Sequence, residues 1–454
     1  MLTKRILLAL LVLLMLTAPS LSLAESDYET GDGWVFQDGI LTITENGGLK
    51  DFVSNDQDEQ TGEWKYDHSV WDVKTLVIGK SVTELKNEIY EWNQLEPQET
   101  IIESGNTCFI IDHGWVVNTK TKTLFGAADV PAMKVQTKID DLPNYIEHIG
   151  DGAFYEYRVL TSVILPQGVI EIGERAFNLC VNLESVAFSD ALQTIDDRAF
   201  ESCFKLSAIS LGKNTQFIRD MAFDSCYSLE HILIHSTNIT KISERSFSSC
   251  NQVLIIEMPE TVTEIETFSL CACEALTTLV ISADQVIFDD YALYNSVRVN
   301  RIVFLNGKPL FPANGLFGET QKTPDGRYYY PDLTDMKNVA IPYPTLYYTA
   351  DYASEWTPNG ETEWNGYPIQ QISQEELDVI LAEARGEAAA ESVALSPAPA
   401  QAPTAAPAST PQPDATSADA SAIDGWMLAA AAVAAIAVGA AIAVFLVNPK
   451  RRSK

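Results

Sequence analysis

The chain has 454 residues, of which 62 are Asp or Glu and 30 are Lys or Arg, giving a formal net charge of −32. Residues 25–424 hold every acidic side chain and 24 of the basic ones, so this middle part carries a net charge of −38. Such an excess of acid argues against nucleic acid or an anionic lipid surface as a partner, because both need clustered Lys and Arg. An apolar content of 46% argues against a chain that is disordered throughout.

The first 24 residues are typical of a secretory signal peptide. Lys4 and Arg5 supply the charged start, residues 6–16 are an unbroken apolar run, and Ser22 and Ala24 form a small-x-small cleavage site. The apolar run is too short to span a membrane. We therefore expect the rest of the chain to be exported.

Residues 149–305 repeat with a period of 23, with one spacing of 24 between Ile218 and Ile242. Six units open on an isoleucine, five of them carry a phenylalanine five residues later, where the sixth has Leu270, and most have a cysteine three residues after that. The isoleucines are Ile149, Ile172, Ile195, Ile218, Ile242 and Ile265; the phenylalanines are Phe154, Phe177, Phe200, Phe223 and Phe247; the cysteines are Cys180, Cys203, Cys226, Cys250 and Cys273.

A short alternating apolar segment closes each unit, as in Val186–Phe188. One such unit cannot bury its own apolar set, whereas stacked units make a continuous core. A period of 23 lies in the range of leucine-rich repeats. The sequence therefore predicts an α/β solenoid of leucine-rich repeats. Each repeat should supply one parallel strand, and the return segment with Phe and Cys should be a short helix or 3₁₀ turn.

The repeat resembles that of the BspA-like bacterial leucine-rich repeat family. The shared pattern is Ile172-Gly173, Ala176-Phe177, Cys180, Leu183 and Val186, and five units reproduce it in phase. The resemblance extends over roughly residues 30–373. It implies a cell-surface solenoid, and relatives of this type are associated with adhesion to host or microbial surfaces.

The flanks of the repeats complete the predicted solenoid. Residues 25–148 are interpreted as an N-terminal leading segment with irregular early repeats, within which Lys86–Thr137 breaks the period. Residues 306–373 are interpreted as an insert, Asn306–Met336, followed by a C-terminal capping rung that resembles the terminal rung of the family.

The C-terminal part of the sequence predicts a membrane anchor. Residues 374–424 begin with a helix-forming stretch and continue as a stalk rich in Pro and Ala. Residues 425–447 are predicted to be a transmembrane helix, since Trp426–Val447 carries no charge and 22 residues at 1.5 Å each span a hydrocarbon core of about 30 Å. The basic residues that follow place 448–454 in the cytoplasm.

The cysteines are predicted to be buried thiols. There are seven, an odd number that fits no complete set of disulfides, and Tyr157 and Ser296 replace Cys at equivalent positions. Disulfides remain the alternative in an exported chain. Cys271 and Cys273 lack the spacing and the second ligand pair of a zinc site. No cofactor or metal site is therefore predicted.

No catalytic motif is recognisable, and the sequence holds only five histidines. Binding is the preferred function, through residues that point outward from the predicted sheet, to an extracellular protein or glycan. The candidate ligand-binding residues are Ser185, Ser210, His231, Leu233, His235, Glu257, Thr278 and Arg301. Two alternatives stay open: an envelope spacer without a ligand, and an enzyme whose site lies in Lys86–Thr137 or Asn306–Met336.

Overall fold

The computed structural model describes residues 28–48, 73–85, 95–234, 238–311, 316–317, 321–322, 328–329 and 344–385. The predicted signal peptide, stalk, transmembrane helix and cytoplasmic tail lie outside these ranges, and so does His235. Within the ranges described, none of the helices has both the length and the apolar character that a membrane crossing requires.

The N-terminal end of the solenoid is a five-stranded sheet. Its strands are β1 Tyr28–Gly31, β2 Trp34–Gln37, β3 Ile40–Ile43, β4 Thr75–Ile78 and β5 Glu99–Ile102. The first three pair antiparallel, and β3, β4 and β5 then pair in parallel. Asp38 and Gly39 turn the chain between β2 and β3 with φ values of 52° and 80°, as a type I′ hairpin turn requires. A hairpin therefore starts the parallel stack.

A second antiparallel unit fills most of the segment that lacks a sequence period. It comprises β6 Phe109–Asp112, β7 Trp115–Asn118 and β8 Thr123–Ala127, followed by the short helix α1 Val130–Lys134. The Asp129 side chain accepts a hydrogen bond from the amide of Ala132 and so caps α1. Because β8 pairs in parallel with the first short strand of the repeats, the unit is continuous with the solenoid.

The regular repeats alternate two kinds of strand. In chain order they are β9 Lys138–Ile139, β10 His148–Ile149, β11 Ser162–Ile164, β12 Glu171–Ile172, β13 Ser185–Ala187, β14 Thr194–Ile195, β15 Ala208–Leu211, β16 Phe217–Ile218, β17 His231–Ile234, β18 Lys241–Ile242, β19 Ile255–Met258, β20 Glu264–Ile265, β21 Thr278–Ile281, β22 Ile287–Phe288 and β23 Arg301–Phe304. The longer, odd-numbered strands pair in parallel from β9 to β13, from β15 to β17 and from β19 to β23. The short, even-numbered strands pair in parallel from β10 to β16 and from β18 to β22.

Two details of the predicted fold are wrong. Each repeat supplies two parallel strands rather than one, because the opening isoleucine lies in a two-residue strand too short to show an alternating pattern. The return segment consists of turns rather than a helix, since residues such as Arg175 and Leu179 have φ values of 53° and 61° in the left-handed region. The chain is therefore a β-solenoid with leucine-rich repeats, not an α/β one.

A column of stacked aromatic rings forms the centre of the core. The column consists of Phe154, Phe177, Phe200, Phe223 and Phe247, each fully buried. Neighbouring ring centroids are 4.7 to 5.5 Å apart and the ring planes differ by no more than 9°. The regular period thus places identical side chains in direct contact along the stack.

Among the described residues both strand ladders are interrupted between β16–β17 and β18–β19, at the 24-residue spacing, and we call this place the junction; the long-strand ladder is also interrupted between β13 and β15. In the part of the chain that the structure describes, no backbone hydrogen bond joins β17 to β19 or β16 to β18. On the turn side the repeats remain bonded, with the amides of Met221 and Phe223 donating to the carbonyls of Glu244 and Ser246 at 2.9 Å each. At the junction the described repeats are therefore joined by backbone hydrogen bonds on the turn side only.

The C-terminal end caps the stack. Its elements are β24 Gln321–Lys322, β25 Tyr328–Tyr329, β26 Thr345–Tyr348, a 3₁₀ turn Ala350–Tyr352, α2 Ala353–Trp356, β27 Glu363–Trp364, β28 Tyr367–Gln371 and α3 Gln374–Ala384. Strands β26 and β28 extend the long-strand sheet beyond β23. Trp356 is 1% exposed and packs against Phe304 and Tyr348, so it closes the end of the core.

Candidate functional site

The outward side chains of the long strands form the surface that the sequence singles out for binding. In β11, β13, β15 and β17 these side chains lie at the surface and form what we call the open face. Its residues are Ser162, Ile164, Ser185, Ala187, Ala208, Ser210, His231 and Leu233. The parallel register sets Ser162 beside Ser185 and Ser210 beside Leu233. None of the eight is acidic, although the protein as a whole carries an excess of 32 negative charges.

The open face offers one strongly exposed apolar side chain. Ile164 is 54% exposed, although an isoleucine of a strand is normally buried. The neighbouring Ser185, Ala187, Ala208 and Ser210 are small and exposed, so another backbone can approach the sheet closely there. This combination of small exposed residues with an apolar contact point suits recognition of an extended partner.

Helix α3 lies over the C-terminal continuation of the same face. We call this part the covered face; it consists of Ile255, Glu257, Val280, Val303 and Tyr347. Val280 and Val303 are 0% exposed and pack in one cluster with the α3 residues Leu377 and Ile380. The helix rests on β19 and also reaches β17. The outward face of the sheet is thus divided into an open and an occupied half.

The local sequence explains why α3 forms and why it lies there. Ser373 and Glu376 make a capping box, in which each side chain accepts the backbone amide of the other. Leu377, Ile380 and Leu381 fall on one side of the helix and meet the sheet, whereas Val379 on the other side is 54% exposed. The apolar side of this amphipathic helix therefore packs on Val280 of β21 and Val303 of β23.

An ion pair fixes the end of α3 nearest the open face. Arg385 donates two hydrogen bonds to the carboxylate of Glu257, from Nε to Oε2 at 2.9 Å and from Nη2 to Oε1 at 2.7 Å. Such bidentate pairing is stronger and more directional than a single contact. The Arg385 side chain is 46% exposed, so solvent screens the pair.

The predicted binding residues fall into different environments. Ser185, Ser210 and His231 are exposed, Leu233 and Arg301 are half-buried, and His235 lies outside the described residues. Glu257 is held by Arg385. Thr278 is 4% exposed, so the prediction that it faces solvent is wrong. These residues therefore do not share one environment, because a helix more than 70 residues further along the chain packs against Val280 and Val303.

The sequence does contain a signal for that helix. In column with Ala187 and Ser210 the later repeats place Val280 and Val303, which are larger and apolar although they point outward. The stretch Gln374–Ala384 is amphipathic and has apolar residues three and four positions apart. Apolar residues that point outward from a sheet, together with an amphipathic helix elsewhere in the chain, indicate that the helix packs on those residues.

The cysteines form a buried ladder beside the Phe column, as predicted. All seven are free thiols. In the ladder each Sγ donates to a phenylalanine carbonyl of the preceding repeat: Cys180 to Phe154 at 3.1 Å, Cys203 to Phe177 at 3.2 Å, Cys226 to Phe200 at 3.3 Å, Cys250 to Phe223 at 3.6 Å and Cys273 to Phe247 at 3.2 Å. Burial raises the pKa of Cys180 to about 12, which keeps the thiol protonated and unreactive.

Acidic side chains with perturbed titration lie next to the short strands. Burial raises the pKa of Asp151 to about 6, although the amide of Glu174 donates a hydrogen bond to its carboxylate. The pKa values of Asp196 and Asp220 are also raised, mainly by burial. Gly173 leaves room for Asp151, since a Cβ there would come within 2.4 Å of the carboxylate oxygen. These groups tie the stability of the solenoid to pH.

The repeats match a known family model. Residues 135–253 and 218–308 match the BspA type leucine-rich repeat region in six copies. No curated protein matches the chain significantly.

Solved structures of bacterial leucine-rich repeat proteins are similar to this chain at low identity. The leucine-rich repeat protein of T. pallidum is 23% identical over 41% of this chain and 86% of its own, with a TM-score of 0.37. A leucine-rich repeat protein from Eubacterium ventriosum is 17% identical over 57% of this chain and 61% of its own, with a TM-score of 0.39. A leucine rich cell surface protein from Faecalibacterium prausnitzii is 15% identical over 60% of this chain and 97% of its own, with a TM-score of 0.26. The family match, together with the in-phase repeats, identifies residues 135–308 as a leucine-rich repeat region of the BspA type.

Proposed function

We propose that this chain is a non-catalytic bacterial cell-surface protein that binds an extracellular protein or glycan through its open face. The observation that carries the proposal is the open face itself. It is uncharged and partly apolar, with Ile164 54% exposed, in a strongly acidic protein. Surfaces that differ in this way from their surroundings are typical of interaction sites. The BspA-type repeats support the proposal because solenoids present extended faces for recognition.

The proposed location follows from the predicted signal peptide and the predicted transmembrane helix. The signal peptide directs export, and residues 425–447 anchor the protein in the cell membrane as a single span. The segment Ser396–Asp424 contains six prolines, a composition that favours an extended stalk of up to roughly 90 Å at about 3.1 Å per residue. Antibody labelling of intact cells tests this arrangement. The solenoid should be labelled without permeabilisation and the tail only after it.

A binding experiment with matched variants tests the open face. Bacteria displaying the full chain are screened against immobilised extracellular matrix proteins and host glycans, and the best ligand is retained. Ala187→Asp places a carboxylate in the middle of the open face. A partner that covers this face would strip the carboxylate of water, so we expect the affinity for the ligand to fall at least tenfold, which is about 1.4 kcal/mol of binding free energy.

Val159→Asp is the matched control. Val159 is 41% exposed but lies in the turn before β11, away from the outward side chains of the sheet. Binding should therefore be unchanged. If both variants bind like the parent protein, the open face is not the site. If no ligand is found although the chain is displayed, a spacer role is favoured.

A further inference from the structure

The cysteine ladder places five thiols at the same position of five successive repeats. Each thiol is free and 0% exposed. Each Sγ also has a hydrogen-bond partner, because it donates to a phenylalanine carbonyl of the preceding repeat. A bond to the backbone, and not a second sulfur, therefore sets the native position of every ladder thiol. The ladder consists of Cys180, Cys203, Cys226, Cys250 and Cys273.

Backbone hydrogen bonds fix the distance between neighbouring ladder cysteines. Directly before Cys180, the amide of Leu179 donates to the carbonyl of Glu201 in the next repeat at 3.0 Å. The equivalent bond precedes each of the other four ladder cysteines, at 2.7 to 2.9 Å. Segments bonded in this way lie about 4.8 Å apart. The stacked rings of the Phe column, with centroids 4.7 to 5.5 Å apart, hold the repeats at the same spacing.

A disulfide does not fit this spacing. It needs Cβ atoms about 3.8 Å apart, whereas side chains at the same position of neighbouring repeats keep the spacing of their backbones. Joining two neighbours would pull their repeats together by about 1 Å, against the stacked rings, and both thiols would lose their carbonyl partners. Thiols two or more repeats apart are separated by more than about 9 Å, which is beyond the reach of a disulfide.

The unfolded chain is under no such restriction. Neighbouring ladder cysteines are 23 or 24 residues apart in the sequence, and a loop of that length closes readily. An exposed thiol has a pKa of about 8.5 and reacts through its thiolate. In the folded chain, burial raises the pKa of Cys180 and of Cys273 to about 12. The same thiols are therefore reactive before the repeats stack and unreactive afterwards.

We propose that the cysteine ladder makes folding of the solenoid redox-dependent: the repeats stack only from the reduced chain, and stacking then protects the thiols from oxidation. An oxidant that meets the unfolded chain joins two ladder thiols. Both S–H bonds break, one S–S bond forms, and the oxidant takes up two electrons and two protons. The joined chain does not fit the stack. This inference is independent of the proposed function, since it concerns the core and not the open face.

Oxidation of the folded chain is the first test. The full chain in a non-ionic detergent is treated with diamide, whose N=N bond accepts the two electrons and two protons and becomes a hydrazine. The diamide is then removed, the chain is unfolded in urea with N-ethylmaleimide, and its peptides are analysed by mass spectrometry. Because the ladder is buried and held at the wrong spacing, we expect its cysteines to be alkylated at least ten times more often than disulfide-linked.

Oxidation before folding is the second test. The chain is unfolded in urea, treated with diamide and diluted, and the native fraction is measured by thermal unfolding followed by circular dichroism. We expect at least tenfold less native chain than from a reduced sample, and recovery when dithiothreitol is added. A five-serine variant should lose this sensitivity, because a hydroxyl makes the same bond, as Ser296 does to Leu270 at 2.6 Å. It combines Cys180→Ser, Cys203→Ser, Cys226→Ser, Cys250→Ser and Cys273→Ser.

The matched control combines Cys108→Ser with Cys271→Ser, which removes the two cysteines outside the ladder. It should be as sensitive to oxidation before folding as the parent chain. If its sensitivity disappears, the ladder is not the cause, and this comparison decides the question even where the five-serine variant fails to fold.

The inference is overturned if the folded chain acquires ladder disulfides and keeps its circular dichroism spectrum. This result needs no refolding, so it decides the question even where the reduced chain refolds poorly from urea. Equal recovery of oxidised and reduced chain also contradicts the inference. So does a loss of recovery that persists in the five-serine variant or that dithiothreitol does not reverse.

Discussion

At the scale of single residues, the repeat works because identical side chains meet at every level of the stack. The sequence predicts that Phe177 and Cys203 are buried, and both are 0% exposed. The bond between them was not predictable, because spacing shows which side chains stack but not which carbonyl a thiol faces. The thiol of Cys203 donates to the carbonyl of Phe177 at 3.2 Å, so the cysteine has a polar role besides filling space. Ser296 donates to Leu270 at 2.6 Å in the same way.

A pair of substitutions at Cys203 tests this bond. Cys203→Ser should lower the free energy of unfolding by less than about 1 kcal/mol, because a hydroxyl retains the hydrogen bond, as Ser296 does. Cys203→Ala removes the thiol's hydrogen bond to the Phe177 carbonyl, which keeps only the bond from the Cys180 amide, and opens a small cavity, so it should cost about 2 kcal/mol. Chemical denaturation followed by circular dichroism measures both. Equal losses would mean that the thiol only fills volume.

The titration of Asp151 predicts a pH-dependent stability. Burial raises its pKa from 3.8 to about 6, so between these values the folded chain binds more protons than the unfolded chain. Stability therefore falls as the pH rises through about 6 and increases on acidification from pH 7.5 towards pH 5. Asp151→Asn should raise the melting temperature at pH 7.5 by a few degrees and flatten this dependence, and it keeps an acceptor for the Glu174 amide.

The control for Asp151→Asn is Asp190→Asn, at an exposed carboxylate. Thermal unfolding of both variants and of the parent chain is followed at pH 5, 6 and 7.5. The control should keep the parent's pH dependence. A melting temperature of Asp151→Asn that follows the parent at every pH would contradict the assignment of the penalty to Asp151.

At the scale of elements, the sequence predicted the long strands but not the short ones or the place of α3. The segment Ser185–Ala187 stands out because its alternation continues through the repeat, whereas Glu171–Ile172 is too short to alternate visibly. Helix α3 was predictable as a helix from Gln374–Ala384, but its contact with Val280 is long-range. Local patterns do not report which distant surface covers an apolar side chain.

The junction should be held together in part by α3. Only turn-side backbone hydrogen bonds cross it among the described residues, and α3 contacts the strand on either side. Releasing α3 with Ile380→Asp should therefore make the amides of β17 and β19 exchange at least tenfold faster, whereas those of β11 and β13 should keep their rates. Hydrogen–deuterium exchange with mass spectrometry resolves these strands. In Val379→Asp all four should exchange as in the parent chain, and an unchanged junction in Ile380→Asp would show that α3 does not brace it.

At the scale of the whole molecule, the excess of acid and the uncharged face belong to different surfaces. The net charge of −32 keeps such proteins apart from one another and from anionic partners. Ser185, Ala187 and Ser210 carry none of it. The sequence predicted the contrast between an acidic protein and an uncharged face, because the repeat period shows which residues share a column. It did not predict that the uncharged, exposed part of the face ends at β17, where helix α3 begins to cover the sheet.

Side-chain footprinting of the ligand complex tests whether the ligand binds through the open face. The full chain is labelled with a photoactivated carbene, alone and with the ligand from the binding screen, and labelling is read by mass spectrometry. We expect ligand-dependent protection of Ile164, Ala187 and Leu233, with Val159 labelled equally in both samples. Protection confined to the turn side or to Asn306–Met336, with the open face still fully labelled, would contradict binding through the sheet.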